Sequence, residues 1–181
     1  MKKHNIIVAL LFTLLAGMTS CGDNFDVSDK YNGVLSFSTP GYSLVETYNV
    51  GDSHTEKIYF QRGGLNFTPS TINLYIDESL VDSMNIAAGT NYKLMPQEYY
   101  TIENTSIKID NEERLIEGAI TVDPTKLLEL NGGKYGILDY VVPIRISTEG
   151  MQVVSDKNTL ILGFSVDNVT AVETSHTLHM Q

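Results

Sequence analysis

The chain has 181 residues, of which 42% are hydrophobic, so it is long enough for one domain with a sizeable core. Its 22 acidic and 12 basic residues give a formal net charge of −10, which disfavours binding to phosphate backbones and electrostatic docking onto anionic lipid. We therefore expect no nucleic-acid partner. The single cysteine excludes a disulfide within the chain, so burial of apolar side chains must hold the fold.

Residues 1–20 have the pattern of a lipoprotein signal peptide. Two lysines near the start precede eleven uncharged, mostly apolar residues, 6–16, a stretch too short to span a bilayer. Four small or modest residues, 17–20, separate this stretch from the lone cysteine, Cys21, and the arrangement resembles the bacterial lipobox, with Met18 where leucine is usual. This resemblance implies that acyl chains on Cys21 hold the processed protein on the membrane. A plain secretory signal with a coincidental cysteine is the alternative.

Residues 21–32 are polar and rich in aspartate, which predicts an acidic tether after the lipidated Cys21. Acidic residues just after a lipid cysteine also resemble the surface-export signals of Bacteroidetes lipoproteins. That resemblance implies a lipid-anchored protein of the outer membrane, exposed at the cell surface. A solvated linker is the alternative interpretation of the same residues.

Residues 33–168 carry short β-prone runs separated by turn residues, a pattern typical of a β-sandwich. Two segments break the pattern and predict short connecting helices. Residues 78–88 place apolar side chains at one-turn spacing, and Asp123 with Pro124 provides an N-cap and a first-turn proline. Residues 169–181 lose the periodicity, which predicts a flexible tail. The predicted strands are 34–38, 44–50, 57–61, 71–76, 99–103, 106–110, 119–122, 140–147 and 159–166.

The strand at 140–147 contains a proline. Because proline cannot donate to a ladder, we predict that this strand lies at a sheet edge or is bulged at Pro143. Alternation along the strand predicts that Ile144 and Ile146 face the core, and that Arg145 faces outward and pairs with an acid.

Signatures of catalysis and of metal binding are missing from the sequence. It contains no G-x-S-x-G, H-E-x-x-H, P-loop or G-x-G-x-x-G motif. The acids at 77–82 and 110–113 lack the spacing of a known calcium loop. Asn111 instead predicts a hairpin turn between the strand at 106–110 and one at 115–122. We therefore predict no enzyme, no catalytic residues, no cofactor and no metal site.

Three motifs stand between residues 92 and 146: YKLMPQEYY, an isoleucine-rich strand followed by an acidic turn, and YVVPIRIS. Together they resemble the N-terminal domain of unknown function of BT_3987-like Bacteroidetes lipoproteins, over most of residues 31–168. The resemblance implies an all-β, immunoglobulin-like β-sandwich with short connecting helices. In that family a lectin-like module or a glycoside hydrolase often follows, and the genes commonly lie beside outer-membrane glycan-uptake machinery. Because this chain stops at 181, we expect the second domain and its activity to be absent.

A sugar site needs flat aromatic faces and polar groups, and this chain has ten tyrosines but no tryptophan. Tyr99 and Tyr100 are adjacent on a predicted strand, so one should face inward and the other outward. Tyr92 and Tyr135 belong to predicted loops nearby. The candidate binding residues are therefore Tyr92, Tyr99, Tyr100 and Tyr135, and the alternative is that all four are amphipathic residues at the edge of the core.

These patterns predict a non-catalytic, lipid-anchored module of the cell surface that binds glycan as an accessory of a nutrient-uptake system. The alternative is a structural or adhesion-type module that binds a surface protein and has no affinity for glycan. Such a module would pair through an exposed strand edge, for which the Pro143 strand and the strand at 34–38 are the candidates.

Overall fold

The computed structural model of the protein describes residues 33–64, 69–110 and 112–168. The predicted signal peptide at 1–20, the lipidation site and tether at 21–32 and the predicted tail at 169–181 lie outside this part. In the described ranges, no helix has both the length and the apolar character needed to cross a membrane.

The described residues form eleven strands, two α-helices and one 3₁₀ turn. Each of the nine predicted strands overlaps an observed one, and both predicted helices are present. The two strands that were not predicted, β5 and β10, are only two residues long, too short for an alternating pattern. The strands are β1 Val34–Phe37, β2 Gly41–Tyr48, β3 His54–Gly63, β4 Ser70–Ile76, β5 Lys93–Leu94, β6 Tyr100–Ile102, β7 Ser106–Ile109, β8 Leu115–Val122, β9 Gly136–Glu149, β10 Gln152–Val153 and β11 Thr159–Asp167; the helices are α1 Ser79–Ala88 and α2 Pro124–Leu130, and the 3₁₀ turn is Gln97–Tyr99.

The strands form two sheets that pack face to face as a sandwich. The first sheet has the order β10-β1-β3-β8-β6, and the second has the order β2-β11-β9-β4-β7, with β5 added to β9. Alternate residues of each sheet point into the shared core, where the rings of Phe37 and Phe60 lie with centroids 5.3 Å apart. This confirms the predicted all-β sandwich. Among its largest fully buried side chains are Phe37, Phe60, Phe164, Leu35, Ile72, Ile120 and Ile144.

The predicted directions of the side chains on β9 are confirmed. Ile144 and Ile146 are buried in the core, while Arg145 lies on the opposite face of the strand. Its Nε donates to Asp77 Oδ2 at 2.6 Å. Arg145 therefore pairs with an acid, as the alternation of the strand indicates.

The predicted place of the proline strand is wrong, because β9 lies inside the second sheet between β11 on one edge and β4 and β5 on the other. On this second edge, β4 pairs as far as Ile144 and β5 pairs at Tyr140 and Val141, which leaves a gap beside Pro143. The carbonyl of Pro143 faces the gap and accepts the N–H of Asp77 at 3.0 Å. Because the N and O of a strand residue point the same way, the missing proline N–H also faces the gap and breaks no ladder hydrogen bond. The irregular register of β9 against β11 lies nearer the start of β9.

The predicted hairpin around Asn111 is also wrong. β7 pairs with β4 in the second sheet, whereas β8 pairs with β3 and β6 in the first sheet. The connection between β7 and β8 therefore crosses from one sheet to the other. A turn-rich loop of this length is equally compatible with both connections, so its composition does not distinguish them. Asn111 itself is outside the described residues.

The two helices begin and end at local signals. Asp123 Oδ1 accepts the N–H of Thr125 at 2.9 Å and that of Lys126 at 3.4 Å, as an N-cap should. Helix α1 ends at Gly89, which adopts a left-handed conformation with φ of 66°. The apolar side of α1 packs on the outer face of the second sheet, where Val81 joins a small cluster with two strand residues, Val141 and Ile161.

Candidate functional site

The structure places Tyr99 and Tyr100 differently from the prediction. Strand β6 begins at Tyr100, whose ring is buried, and this burial raises the pKa of its hydroxyl. Tyr99 is the last residue of the 3₁₀ turn and packs, half-buried, against the main core. Neither ring is the outward-facing partner of an alternating pair, because Tyr99 is not part of the strand.

Tyr92 is half-buried beside α1 on the outer face of the second sheet. Asn85 of α1 holds its backbone through two hydrogen bonds of 2.8 Å, one to the carbonyl and one from the N–H. The ring of Tyr92 lies 5.9 Å from that of Tyr42 on β2. Burial, together with the hydrogen bond to Tyr92, raises the pKa of Tyr42 to about 12. Tyr92 is thus engaged in packing with a neighbouring tyrosine.

Tyr135 is the most exposed of the four predicted tyrosines, at 48%. It precedes β9 in the chain, whereas Tyr92 lies just before β5, which pairs near the middle of β9. Tyr100 begins β6 in the first sheet, and Tyr99 ends the 3₁₀ turn just before it. The structure therefore does not gather the four predicted tyrosines into one site.

A cleft opens where the chain passes from β6 in the first sheet to β7 in the second. β7 pairs with β4 from Ser70 to Asn73, and the next residue, Leu74, donates its N–H to the carbonyl of Thr105 at 2.8 Å. Beyond this point β4 and β6 diverge because they belong to different sheets. The resulting cleft has a volume of about 320 Å³, and we name it the Tyr100 cleft. It is lined by Leu74, Tyr75, Ile76, Gln97, Tyr100, Thr101, Ile102 and Thr105.

The chemistry of the Tyr100 cleft combines an aromatic face with uncharged polar groups. Tyr75 is 45% exposed, and Gln97, Thr101 and Thr105 are also exposed. A flat aromatic side chain can pack against the apolar face of a sugar ring, while amides and hydroxyls hydrogen-bond with its hydroxyl groups. Among the described residues, the lining contains no charged side chain and no histidine, so the cleft suits an uncharged ligand.

Sequence reasoning missed Tyr75, although a signal for it is present. In β4 the buried residues Ile72 and Leu74 alternate with outward-facing ones, which places Tyr75 on the exposed side. Tyr100 was among the predicted residues and does line the cleft. Its partners Tyr75 and Gln97 come from separate segments, which the fold brings together.

The acids and the histidine of the described residues lie outside the Tyr100 cleft. In this part of the chain, no group of three or more His, Cys, Asp or Glu side chains is arranged to hold a metal ion. The predicted acidic cluster at 77–82 includes Asp77, whose carboxylate already binds Ser79 and Arg145. His54 Nε2 lies 3.5 Å from Glu56 Oε2 on β3, outside the Tyr100 cleft.

A protein-family model describing the N-terminal domain of the BT_3987-like proteins matches residues 31–153, which is more than half of the chain. The chain belongs to this family. The resemblance carried by the tyrosine and proline motifs is thereby confirmed. A search of curated proteins found no match.

Solved structures share the fold of this BT_3987-like domain. A candidate carbohydrate-binding protein from Bacteroides ovatus has a TM-score of 0.58 and 18% identity, over 72% of this chain and 36% of its own. A second Bacteroides ovatus protein, of unknown function, has a TM-score of 0.59 and 15% identity, over 75% and 45%. A two-domain protein of unknown function from Bacteroides fragilis has a TM-score of 0.57 and 16% identity, over 78% and 48%. The chain thus spans less than half the length of these proteins.

Proposed function

We propose that this protein is a non-catalytic module that binds an uncharged glycan in the Tyr100 cleft, as an accessory of nutrient uptake at the cell surface. The observation that carries the proposal is the lining of the cleft, where the exposed Tyr75 stands beside Gln97, Thr101 and Thr105. The similarity to a candidate carbohydrate-binding protein of Bacteroides ovatus supports a role with carbohydrate. The described lining carries no charged side chain, which supports an uncharged ligand.

We further propose that Cys21 carries acyl chains that hold the module on the outer membrane, facing the exterior. Anchoring of this kind matters for the expected affinity. One aromatic contact contributes about 0.5–1.5 kcal/mol beyond its area term, and the cleft is open to water. A single glycan chain should therefore bind with a Kd of roughly 0.1–1 mM. Many anchored copies that engage one polymer together would bind it far more tightly.

The test is calorimetric titration of residues 22–181, which contain every described element of the fold, with a panel of neutral plant and host oligosaccharides. At least one should bind, and Tyr75→Ala should weaken that binding about five- to tenfold through loss of the stacking contact. Tyr59→Ala is the matched control, because Tyr59 is also an exposed strand tyrosine but lies outside the cleft. Absence of heat with every glycan, or equal effects of the two variants, would overturn the proposal.

Protein binding is the second candidate function. The strand edge that would pair with a partner is not one of the two edges expected from the sequence. Neither predicted edge is open, because β9 is central and β1 is flanked by β3 and β10. The edge strand β2 has eight residues and carries Tyr42, Leu44 and Tyr48 exposed on its outward side. An extended segment of a partner could pair with such an edge. Photo-crosslinking from Glu46 on intact cells would favour this role if it captured one dominant protein while no glycan bound.

A further inference from the structure

We propose that the glycan bound in the Tyr100 cleft carries N-acetyl groups, and that the open edges of two strands recognise its acetamido group. This inference rests on the proposed glycan binding and names the class of sugar. Leu74 and Ile76 of β4 and Tyr100 and Ile102 of β6 all line the cleft. An acetamido group combines an N–H donor, a carbonyl acceptor and a methyl group, and the cleft offers a partner for each.

The hydrogen bonds around β4 show that the backbone N–H and carbonyl of Ile76 face the cleft. Successive residues of a strand direct these groups alternately to its two edges. The N–H of Asp77 donates to Pro143 on β9 at 3.0 Å. The N–H of Leu74 donates on the other side, to Thr105 at 2.8 Å. Ile76 therefore directs its N–H and carbonyl to the same edge as Leu74, beyond the point where β7 stops pairing with β4.

The outer edge of β6 is arranged in the same way. The N–H of Glu103 donates to the carbonyl of Ala119 at 3.1 Å, so the backbone groups of Glu103 and Thr101 face β8. Those of Tyr100 and Ile102 face the opposite edge, where β6 is the last strand of the first sheet. The N–H of Tyr100 bonds within the 3₁₀ turn, which leaves its carbonyl and both groups of Ile102 on this edge.

Each edge thus presents a carbonyl followed two residues later by an N–H. The carbonyls are those of Leu74 and Tyr100, the N–H groups are those of Ile76 and Ile102, and none of the four bonds with another described residue. In a secondary amide the N–H and the carbonyl oxygen point in opposite directions. A single strand edge therefore cannot bond both groups of one acetamido group, whereas two edges that border the same cleft can.

The side chains of the cleft suit the other parts of an N-acetylated sugar. Leu74 is buried, and Ile76 and Ile102 pack half-buried against the core, so together they provide apolar surface for the acetyl methyl group. The exposed ring of Tyr75 and the amide of Gln97 remain for the sugar ring and its hydroxyls. A sugar without an acetamido group would use Tyr75 and Gln97 but leave the strand edges unpaired, which costs affinity.

The test compares triacetylchitotriose with cellotriose in calorimetric titration of residues 22–181. The two ligands share the same backbone and linkage and differ only in the acetamido group that replaces one hydroxyl of each sugar. The acetylated ligand should bind about tenfold more tightly, because it alone pairs the strand edges. Tyr75→Ala should weaken both ligands and leave their ratio unchanged, since the stacking contact is common to both.

The N–H of Ile102 can be removed without breaking a bond to β8, because it faces the open edge. Ile102→Pro should therefore lower the preference for the acetylated ligand about threefold or more, whereas Ile102→Ala, which keeps the N–H, should retain most of it. Amide hydrogen exchange needs no substitution and decides the question if the proline variant unfolds. At saturation, triacetylchitotriose should slow exchange at Ile76 and Ile102 far more than cellotriose does, while Thr101, already bonded to β8, should stay protected throughout.

Equal affinities for the two trisaccharides would overturn this inference and leave glycan binding in the cleft intact. Unchanged exchange at Ile76 and Ile102 in the acetylated complex, or equal effects of the proline and alanine variants, would also overturn it. Tighter binding of an extended peptide that protects the same two amides would show that the strand edges serve a protein partner. Absence of binding by every sugar would instead overturn the proposed function itself, so the two failures are distinguishable.

Discussion

The ion pair between Arg145 and Asp77 links three elements, and replacing Arg145 with methionine should measure its contribution. Arg145 Nε donates to Asp77 Oδ2 at 2.6 Å, and the two side chains are 27% and 19% exposed. Asp77 Oδ1 accepts the hydroxyl of Ser79 at 2.6 Å, at the start of α1. The backbone N–H of Asp77 donates to the carbonyl of Pro143. The pair therefore ties β4, β9 and the beginning of α1 together.

The expected loss lies between the values for exposed and buried ion pairs. Exposed pairs contribute about 0.2–1 kcal/mol, and removing one partner of a buried pair costs about 3–5 kcal/mol. Because this pair is mostly but not fully buried, Arg145→Met should lower the free energy of unfolding by about 1–2 kcal/mol. Methionine keeps an unbranched apolar stem, so most of the loss should come from the charge. The observed burial makes this larger than the ~0–1 kcal/mol expected of a surface pair.

The pH dependence separates charge from packing. The hydrogen bond from Ser79, and then that from Arg145, hold the pKa of Asp77 below its usual value. A carboxylate with a depressed folded-state pKa stabilises the fold above its unfolded-state pKa of about 4, and this stabilisation is lost as the pH falls through the folded-state value. Urea unfolding of the wild type and of Arg145→Met should therefore differ most near neutral pH and converge in acid. A difference that stays constant into acid would refute the charge argument and assign the loss to packing.

Three further changes have expected outcomes. In Gly163→Ala, a Cβ would lie 2.9 Å from ring carbons of Tyr42, so urea unfolding should show a loss of about 1–3 kcal/mol that disappears in a Tyr42→Ala background. Ile144→Ala should cost about 2–5 kcal/mol because the side chain is fully buried, whereas Ile137→Ala on the same strand, 58% exposed, should cost under about 0.5 kcal/mol. Cys21→Ser should release the protein from the membrane fraction of cells, and retention after a high-salt wash would exclude acyl chains as the anchor.

Local patterns were sufficient for the parts of the fold that depend on neighbouring residues. Asp123 and Pro124 predict the start of α2 because capping involves only the first turn of a helix. The alternation of Ile144, Arg145 and Ile146 predicts their directions because strand geometry has a period of two. These signals are complete within a few residues, and tertiary packing does not alter them.

Features that depend on distant segments could not be predicted in this way. Pro143 fits a central strand only because β4 and β5 end on either side of it. The sequence around Pro143 does not show where these two strands end, so the position of β9 in the sheet could not be predicted from it. The alternation of β4 was sufficient to predict that Tyr75 is exposed. Its position beside Gln97 in one cleft depends on how the two sheets diverge, which no local pattern shows.

The location of glycan binding is the most direct test of the central claim. Backbone amide chemical shifts of residues 22–181, recorded by NMR during titration with the neutral oligosaccharide that binds best, can detect even a millimolar complex. The largest changes should fall on Gln97, Thr101 and Thr105 and around Tyr75, with none at Tyr59 on the first sheet. Changes centred on β2, or no changes at all, would contradict binding in the Tyr100 cleft.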